Sequence, residues 1–470
     1  MKKVEVYTYL IISLVFISIT SPQLFSRGMF MDGLIYATVA KNLANGYFDM
    51  WHLNFSPTFI KHFYGHPPLQ MWIQALLYKI FGDSIFVERI YSLSTFAITG
   101  FLICKFWQIL VEKKHKNYCF VPLGLWIIIP LNSWAAANNI LENTMQIFIL
   151  SAVIFIYKSL RNNFTLNSVL AALFLFLGMM TKGFVALFPL SLPLLFFLFS
   201  KNYPFKKFIT QTLLISFVIF SITFFLFFIF PQSKEYFIEY FKEQILGSLH
   251  TKFHYHGRFY ILLAFLNQIL PGLILIGIFL FYMKVKKQKI KLNTTYQRQI
   301  LILSGLILSG TLPFILSLKQ REFYLLPTLP FISIMFALFF VENINMEKLN
   351  EKKTLQILRI STYILGFITI LIIYFSVGTI GRDKIKIHDA DIICQYVLPN
   401  EVIETNDIRL LRDYSFMGYL ARYNRIGLYL NTKTEHKAKF FICPKDREFT
   451  DSAYYKLNLP LKRYILYKHK

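Results

Sequence analysis

Residues 28–82 read GMFMDGLIYATVAKNLANGYFDMWHLNFSPTFIKHFYGHPPLQMWIQALLYKIFG and separate the first two long apolar runs of the chain. A loop of this length between membrane spans is unusual and favours a functional role. Residues 33–44 have a broad apolar side, which predicts an amphipathic helix at the membrane surface. Residues 69–81 are apolar but short, and they predict a second interfacial helix. The whole loop, residues 26–84, therefore predicts a platform of interfacial helices with Asp32 at the start of the first.

The composition places this loop in a membrane protein. Of the 470 residues 55% are hydrophobic, and the mean hydropathy of +0.48 is too high for a soluble domain of this length. Apolar runs that could span a membrane lie at residues 7–25, 85–111, 118–135, 140–157, 166–180, 184–200, 208–230, 259–283, 300–318, 323–341 and 355–378. The first run lacks a small-residue cleavage site and predicts an uncleaved span. The predicted fold is a polytopic all-α membrane domain, residues 1–380, with about 11–13 transmembrane helices.

The charges predict the orientation of these spans. Lysine and arginine number 50 against 25 acids, and a net charge of +25 would favour nucleic acid as the partner of a soluble protein. Here the cations lie mainly in alternate loops between apolar runs, as the positive-inside rule describes, and no nucleic-acid motif is present. A cytoplasmic N-terminus puts the loop 26–84, the loop 232–258 and the residues after 381 outside. The pattern predicts a multi-pass protein of a bacterial inner membrane.

Residues 381–470 are more highly charged than the rest of the chain. Short β-like runs alternate there with a helix-like run at 413–422, which predicts a small extracytoplasmic α/β domain. The four cysteines of the chain do not have the spacing of a metal site. Cys394 and Cys443 both lie in this domain, and a disulfide between them stays open.

Asp32 is the acid that most needs an explanation. At a helix N-terminus it could cap the first amides. It could equally be a carboxylate at the membrane surface that acts as a general base or metal ligand. The two roles are compatible, and position alone favours capping.

The motif His66-Pro67-Pro68-Leu69 is the second feature of the loop. The two prolines cannot extend a preceding helix but can open the next one, so the first amides of that helix would point toward His66. Such a helix end can hold a phosphate group. A rigid turn without a ligand is an equal alternative.

Three later stretches share the predicted outer membrane face with this loop: NNILENTMQIF with Glu142, GMMTKGFVALFPLSLP with Lys182, and LKQREFYLLPTLPFI with Arg321. With Asp32 after the first span and PPL before an aromatic-rich helix that ends in FG, they occur in one order from about residue 5 to 340. This order resembles the GT-C class of membrane glycosyltransferases. The resemblance is to the branch with the lipid A aminoarabinose transferases and the dolichyl-phosphate-mannose protein mannosyltransferases.

The resemblance implies roles for these residues. Asp32 would be the catalytic or metal-associated acid, with Glu142 as the second carboxylate, and Lys182 and Arg321 would bind the donor phosphate. The chain also departs from the family pattern. Many members have two adjacent acids where this chain has Asp32-Gly33. Aminoarabinose transferases have Glu-Lys where this chain has Gly65-His66, which questions that sugar specificity and makes His66 a candidate phosphate contact.

Alternatives from the residues themselves stay open. Glu142 could belong to a structural ion pair, and Lys182 could be a cation that snorkels to the surface. His256, Arg258 and Tyr324 are further candidate contacts for a headgroup or diphosphate, although aromatic residues near span ends often serve only as interfacial anchors. The loop that contains His254 and His256 offers no third ligand, which disfavours a zinc site.

The predicted activity is inverting transfer of a sugar from a polyprenyl-phosphate donor to lipid A or another envelope glycolipid. No cofactor is required by this prediction, although Asp32 and Glu142 could hold a divalent metal. A protein hydroxyl is the alternative acceptor, and a ligase for preassembled glycans is another form of the enzyme. A non-enzymatic lipid-sugar flippase is the competing class, but it would spread polar residues along a path through several spans.

Overall fold

The structure is a computed structural model that describes residues 3–247, 257–317, 319–344, 351–431, 438–447 and 449–470. In the membrane part the α-helices are α1 Lys3–Phe25, α2 Met31–Ala44, α3 Leu69–Phe81, α4 Ile85–Leu110, α5 Phe120–Ile127, α6 Pro130–Ala136, α7 Leu141–Ser159, α8 Phe164–Lys182, α9 Leu192–Phe199, α10 Phe205–Ile229, α11 Pro231–Tyr240, α12 Tyr260–Val285, α13 Thr294–Thr311, α14 Leu329–Val341 and α15 Lys352–Ser376. Short 3-10 helices cover Lys113–Cys119, Phe184–Ser191, Leu312–Leu316 and Glu322–Thr328.

The predicted apolar runs all form helices. Within the described residues, nine helices are long and apolar enough to cross a membrane. The run at 118–135 is broken instead: Lys113–Ile127 and Pro130–Ala136 meet at 84°, because Pro130 can begin a helix but cannot continue one. Phe184–Phe199 is a shorter apolar helix. The polytopic all-α fold is confirmed, and the number of spans reaches eleven only if the bent pair and the short helix also cross.

Helices α2 and α3 of the first loop lie where the sequence predicts them. Helix α3 begins at Leu69, directly after the two prolines, and ends before Gly82, whose φ of 75° suits a residue without a side chain. Helix α2 is more enclosed than an amphipathic surface helix, since ten consecutive residues from Gly33 to Asn42 are buried. Its outer side is covered by the C-terminal domain.

The C-terminal domain is a mixed five-stranded sheet with helices. The helices are α16 Lys384–Tyr396, α17 Ile408–Arg412 and α18 Tyr414–Asn424, and the strands are β1 Val402–Thr405, β2 Gly427–Leu430, β3 Phe440–Pro444, β4 Tyr454–Lys456 and β5 Tyr464–His469. The strand order is β2-β1-β3-β5-β4, in which β1 is parallel to β2 and β3 and the other pairs are antiparallel. The predicted α/β domain is confirmed, and its cysteines Cys394 and Cys443 are both free thiols.

This domain packs on the first loop, so the two lie on the same side of the membrane part. Arg27 and Ile380 form a parallel β-bridge, and the Thr58 hydroxyl donates a hydrogen bond of 2.7 Å to the carbonyl of Leu428. The shared side agrees with the predicted topology, which puts both segments outside.

Candidate active site

A cavity of about 850 Å³ lies between the first loop, the membrane helices and the C-terminal domain. The sequence-predicted residues that line it are Asp32, His66, Glu142, Lys182, Arg321 and Tyr324. These residues come from four separate stretches of the chain, which the fold brings together at one end of the helix bundle. Arg258 is exposed and does not line the cavity, although its carbonyl accepts a hydrogen bond of 2.7 Å from Gln320 Nε2. His256 lies outside the described residues.

Asp32 lies in the first turn of α2 but does not cap it. The N-cap position is Phe30, no side chain caps the helix, and the amide of Phe30 donates instead to Asn138 Oδ1 at 3.0 Å. Burial in the cavity wall raises the pKa of the Asp32 carboxyl, while Lys182, Arg321 and Lys319 act in the opposite direction. A raised pKa makes this carboxylate a better proton acceptor than an exposed aspartate.

Gly33 explains why no second acid follows Asp32. A Cβ at this position would collide with the backbone carbonyl of Asn138. Asn139 Nδ2 also donates to the Gly33 carbonyl at 3.0 Å, which holds the two segments together. A side chain after Asp32 is therefore excluded on steric grounds by this close backbone approach.

Glu142 and Lys182 form an ion pair in the cavity wall. Glu142 Oε1 accepts a hydrogen bond from Lys182 Nζ, and the side chains are only 1% and 9% exposed. The lysine ammonium also lies 4.7 Å from the centre of the Tyr324 ring and 5.2 Å from that of Phe323. The structure therefore contains the ion pair that the sequence left open, and Lys182 is buried rather than snorkelling.

The residue after Lys182 must be glycine in this arrangement. Gly183 has a φ of 82°, and a Cβ there would collide with the hydroxyl of Tyr240. That hydroxyl donates a hydrogen bond of 3.4 Å to the carbonyl of Lys182. The Thr-Lys-Gly stretch thus ends α8 and lets α11 approach the cavity.

His66 is held by its backbone and has an unusual side chain. Tyr236 donates a hydrogen bond of 2.7 Å to its carbonyl, and its buried Nδ1 has no hydrogen-bond partner among the described residues. Burial, with Lys182 and Lys319 nearby, lowers the pKa of His66 well below its ordinary value. The imidazole is therefore neutral near pH 7. It can offer a phosphate a hydrogen bond but not a cationic contact.

Many further residues line the cavity without having been identified from the sequence, and Glu243, Lys319 and Tyr414 are among them. Lys319 lies two residues before Arg321 in the same polar stretch, a signal that could have found it. Tyr414 belongs to the C-terminal domain, and no sequence signal connects it with the membrane part.

A second cavity of about 390 Å³ adjoins the first, since Phe184 and Tyr240 line both. Its walls are mainly apolar and come from α8, α10, α11 and the segment after Gly183. It extends the polar cavity toward the side of the molecule on which α10 exposes many large apolar side chains.

The acids of the site are a poor match for a tightly held metal. Among the described residues, no group of three or more His, Cys, Asp or Glu side chains could hold an ion. Of the two candidate ligands, Glu142 already bonds the ammonium of Lys182. Asp32 and Glu142 alone would not complete the coordination shell of a divalent cation, which waters and a substrate phosphate would have to fill. A divalent metal held by these two acids stays a prediction.

Known proteins match this chain in two ways, through a family model and through solved structures. The family model described as dolichyl-phosphate-mannose-protein mannosyltransferase matches residues 65–225. A sequence search of curated proteins found no match.

Solved structures extend the likeness to nearly the whole chain. ArnT from Cupriavidus metallidurans in the apo state has a TM-score of 0.66 at 12% identity, over 98% of this chain and 97% of that one. The same protein bound to undecaprenyl phosphate has a TM-score of 0.63 at 14% identity, with the same coverage. The oligosaccharyltransferase AglB from Archaeoglobus fulgidus, with an inhibitory peptide and a dolichol-phosphate, has a TM-score of 0.52 at 10% identity, over 90% of this chain and 64% of that one. Together with the family model, these folds confirm the resemblance drawn from the sequence motifs.

Proposed function

We propose that this protein, which has the fold of the GT-C class of membrane glycosyltransferases, transfers a sugar from a polyprenyl-phosphate donor to an acceptor at the outer face of a bacterial inner membrane. One observation carries the proposal. The first cavity contains Asp32, the Glu142–Lys182 pair, Arg321 and Lys319, and the second, mainly apolar cavity adjoins it. A base and a cluster of cations next to an apolar cavity fit a lipid-linked phosphosugar.

In this mechanism the lone pair of the acceptor oxygen or nitrogen attacks the anomeric carbon of the donor sugar. Asp32 takes the proton from that acceptor atom as it attacks. The bond between that carbon and the phosphate oxygen breaks on the opposite face, so the configuration inverts. The electron pair leaves with the phosphate, which then needs positive charge rather than a proton. Arg321 and Lys319 supply that charge, and the neutral His66 imidazole can add a hydrogen bond.

The Glu142–Lys182 pair has a different role from a free cation. Because Glu142 neutralises most of the lysine charge, Lys182 contributes to phosphate binding mainly through the ammonium hydrogens that Glu142 does not accept. Glu142 in turn places a second carboxylate near Asp32 in the same wall. The pair thus provides a preorganised electrostatic field, and its two charges need not move during the reaction.

The second, mainly apolar cavity is suited to part of the polyprenyl chain. ArnT of Cupriavidus metallidurans was solved with undecaprenyl phosphate and AglB with a dolichol-phosphate, which supports a polyprenyl carrier for this chain as well. The proposed acceptor is lipid A or another envelope glycolipid. A protein hydroxyl is the second candidate, because the family model that matches residues 65–225 is that of protein mannosyltransferases.

Mass spectrometry of lipid A and total envelope glycolipids tests the proposal. The cells would carry wild-type protein, no protein, Asp32→Asn, or the control Asp446→Asn, all at equal expression. Asp446 is exposed in the C-terminal domain, so its variant should behave as wild type. We expect one sugar-mass increment to be lost from the null and Asp32→Asn cells alone.

An unchanged glycolipid profile in the null cells would move the test to glycosylated proteins. If these too were unchanged, the transferase proposal would be wrong and the flippase alternative would be next.

A further inference from the structure

We infer that the C-terminal domain holds the Asp32-bearing helix α2 in its catalytic position, with Tyr419 and Arg422 of helix α18 as positioning residues. The inference rests on the proposed function, because it assigns Asp32 a chemical task. Its contacts occur at the entry, the first turn and the far end of α2.

The entry to α2 is joined to the chain that leads into the C-terminal domain. The amide of Arg27 donates to the Thr379 carbonyl at 2.8 Å, and the amide of Gly381 donates back to the Arg27 carbonyl at 2.9 Å. The Arg27 guanidinium makes two bonds of 2.7 Å to Asp391 and a third of 3.0 Å to the Tyr423 hydroxyl. A bidentate pair of this kind fixes orientation as well as distance.

The residue before the N-cap of α2 is bonded to α18, and the first turn of α2 packs against the same helix. The amide of Met29, three residues before the acid, donates to the hydroxyl of Tyr419 at 3.2 Å. That hydroxyl donates in turn to Asp383 Oδ2 at 3.1 Å. Gly418 allows the close approach, since a Cβ there would lie 2.7 Å from Leu34 Cδ2. The two helices therefore pack against each other with little room to slide.

The far end of α2 is held by a charge cluster in which Arg422, Glu88 and Lys41 are buried and Asp83 is half-exposed. Arg422 is 2% exposed and bonds Asp83 at 2.5 Å and both oxygens of Glu88 at 3.3 and 3.2 Å. Lys41 of α2 donates to the Arg422 carbonyl at 2.8 Å and pairs with Asp83 at 2.6 Å. Buried charges tolerate few alternative arrangements, because each must keep its partners. The cluster therefore sets one register between α18, α2 and the start of α4.

These contacts have a consequence for catalysis. The cations of the site lie on the membrane part, whereas α2 is held on its outer side by the C-terminal domain. A small displacement of α2 would move Asp32 relative to Arg321 and Lys182 without altering any of the three side chains. Misplacement by about 1 Å can cost a hundredfold in rate.

The test compares purified Tyr419→Phe and Arg422→Met with wild type and with the control Arg409→Met. Arg409 is exposed and pairs only with Asp407 and Asp446 of its own domain among the described contacts. The donor is a total polyprenyl-phosphate-sugar fraction from the host, and the acceptor is the envelope glycolipid fraction. The readouts are maximal rate, half-saturating donor concentration, the pH profile, and hydrogen exchange of the α2 amides.

For both positioning variants we expect a maximal rate at least tenfold lower, with an unchanged half-saturating donor concentration. We also expect faster hydrogen exchange of the α2 amides. The fall in rate on the acid side of the pH profile should move to lower pH, because a displaced Asp32 loses the burial that raises its pKa. Arg409→Met should match wild type. If Arg422→Met does not fold, Tyr419→Phe alone tests the inference, because it removes only a hydroxyl group.

Two results would overturn the inference: α2 exchange as slow as in the control, or faster exchange with an unchanged maximal rate. A wild-type protein that transfers no sugar would instead contradict the proposed function. In that case the exchange data still report whether the C-terminal domain holds α2.

Discussion

The ammonium group of Lys182 is paired with the carboxylate of Glu142 where the last residue of α8 meets the first turn of α7. Each charge also lies at the helix end that its sign favours, an anion at an N-terminus and a cation at a C-terminus. Removal of one partner leaves the other buried and unpaired. We therefore expect Lys182→Met to lower the free energy of unfolding by about 3–5 kcal/mol. Thermal or denaturant unfolding in detergent measures it.

The double variant Glu142→Gln with Lys182→Met is the matched control. It leaves no unpaired buried charge, so most of the stability should return, whereas sugar transfer should stay low because the active-site carboxylate is gone. Stability losses that simply add in the double variant would contradict the coupling of the two residues.

The protonation of Asp32 should set the acid side of the pH profile. A general base works only when it is deprotonated, and burial raises the pKa of this carboxyl above its ordinary value. The rate at low substrate concentration should therefore fall as the pH drops through that raised pKa, at a higher pH than for an exposed aspartate. Asp32→Asn should lower the rate by about 10²- to 10⁴-fold.

His66 provides the comparison for that profile. Burial and the nearby Lys182 and Lys319 lower its pKa, whereas burial raises the pKa of Asp32. We expect His66→Gln to leave the position of the acid limb unchanged, while donor binding weakens. A limb that disappears in His66→Gln would assign the titration to the histidine instead.

Much of this architecture could be predicted from the sequence, for physical reasons that differ between elements. The apolar runs and the two prolines before Leu69 specify helices locally, so α3 and the spans are found where expected. An ion pair of Glu142 was only one of two alternatives, and Lys182 was not identified as its partner, because the pairing depends on how two helices pack. The packing of the C-terminal domain on α2 could not be predicted at all, since Tyr419 and Arg422 lie far along the chain in a domain with no sequence motif.

Arg321 should bind the donor phosphate. A hydrogen bond to a charged group contributes about 1.5–3 kcal/mol, so Arg321→Gln should raise the half-saturating donor concentration about 10- to 100-fold. Lys319→Gln should have a smaller effect in the same direction, because lysine cannot bind a phosphate in a bidentate way. The measurement is the rate of sugar transfer against the concentration of the donor fraction.

Lys242→Gln is the control for the phosphate variants. Lys242 lies on the same side of the protein and pairs with Glu239 at 2.6 Å, but it does not line the cavity. Donor saturation should be unchanged in this variant. Equal effects of Lys242→Gln and Arg321→Gln would mean that only the overall charge matters.

Gly33 should not tolerate an acidic side chain. A Cβ at this position meets the Asn138 carbonyl, so Gly33→Asp has to push α2 away from the segment before α7. We expect loss of transfer together with lower thermal stability, and Gly33→Ala should show the same direction. Gly277→Ala is the control, because no heavy atom lies within 4 Å of its added Cβ. A Gly33→Asp protein as active as wild type would show that the backbone relaxes freely.

Tyr414 should recognise the acceptor rather than the donor. It is the first residue of α18, its ring lies 5.6 Å from that of Phe59, and it lines the cavity although its side chain is 39% exposed. An aromatic ring at the open side of a sugar site offers an apolar face for packing. Tyr414→Ala should therefore raise the half-saturating acceptor concentration about fivefold, as expected for the loss of roughly 1 kcal/mol of aromatic packing.

Two variants separate packing from other causes at Tyr414. Tyr414→Phe keeps the ring and should behave as wild type, and Tyr455→Ala removes an exposed tyrosine of the same domain that does not line the cavity. Donor saturation should stay constant in all three proteins, because the cations that hold the phosphate are unchanged. A shift in donor rather than acceptor saturation for Tyr414→Ala would place this ring against the donor sugar, and the acceptor would then have to enter past the first loop.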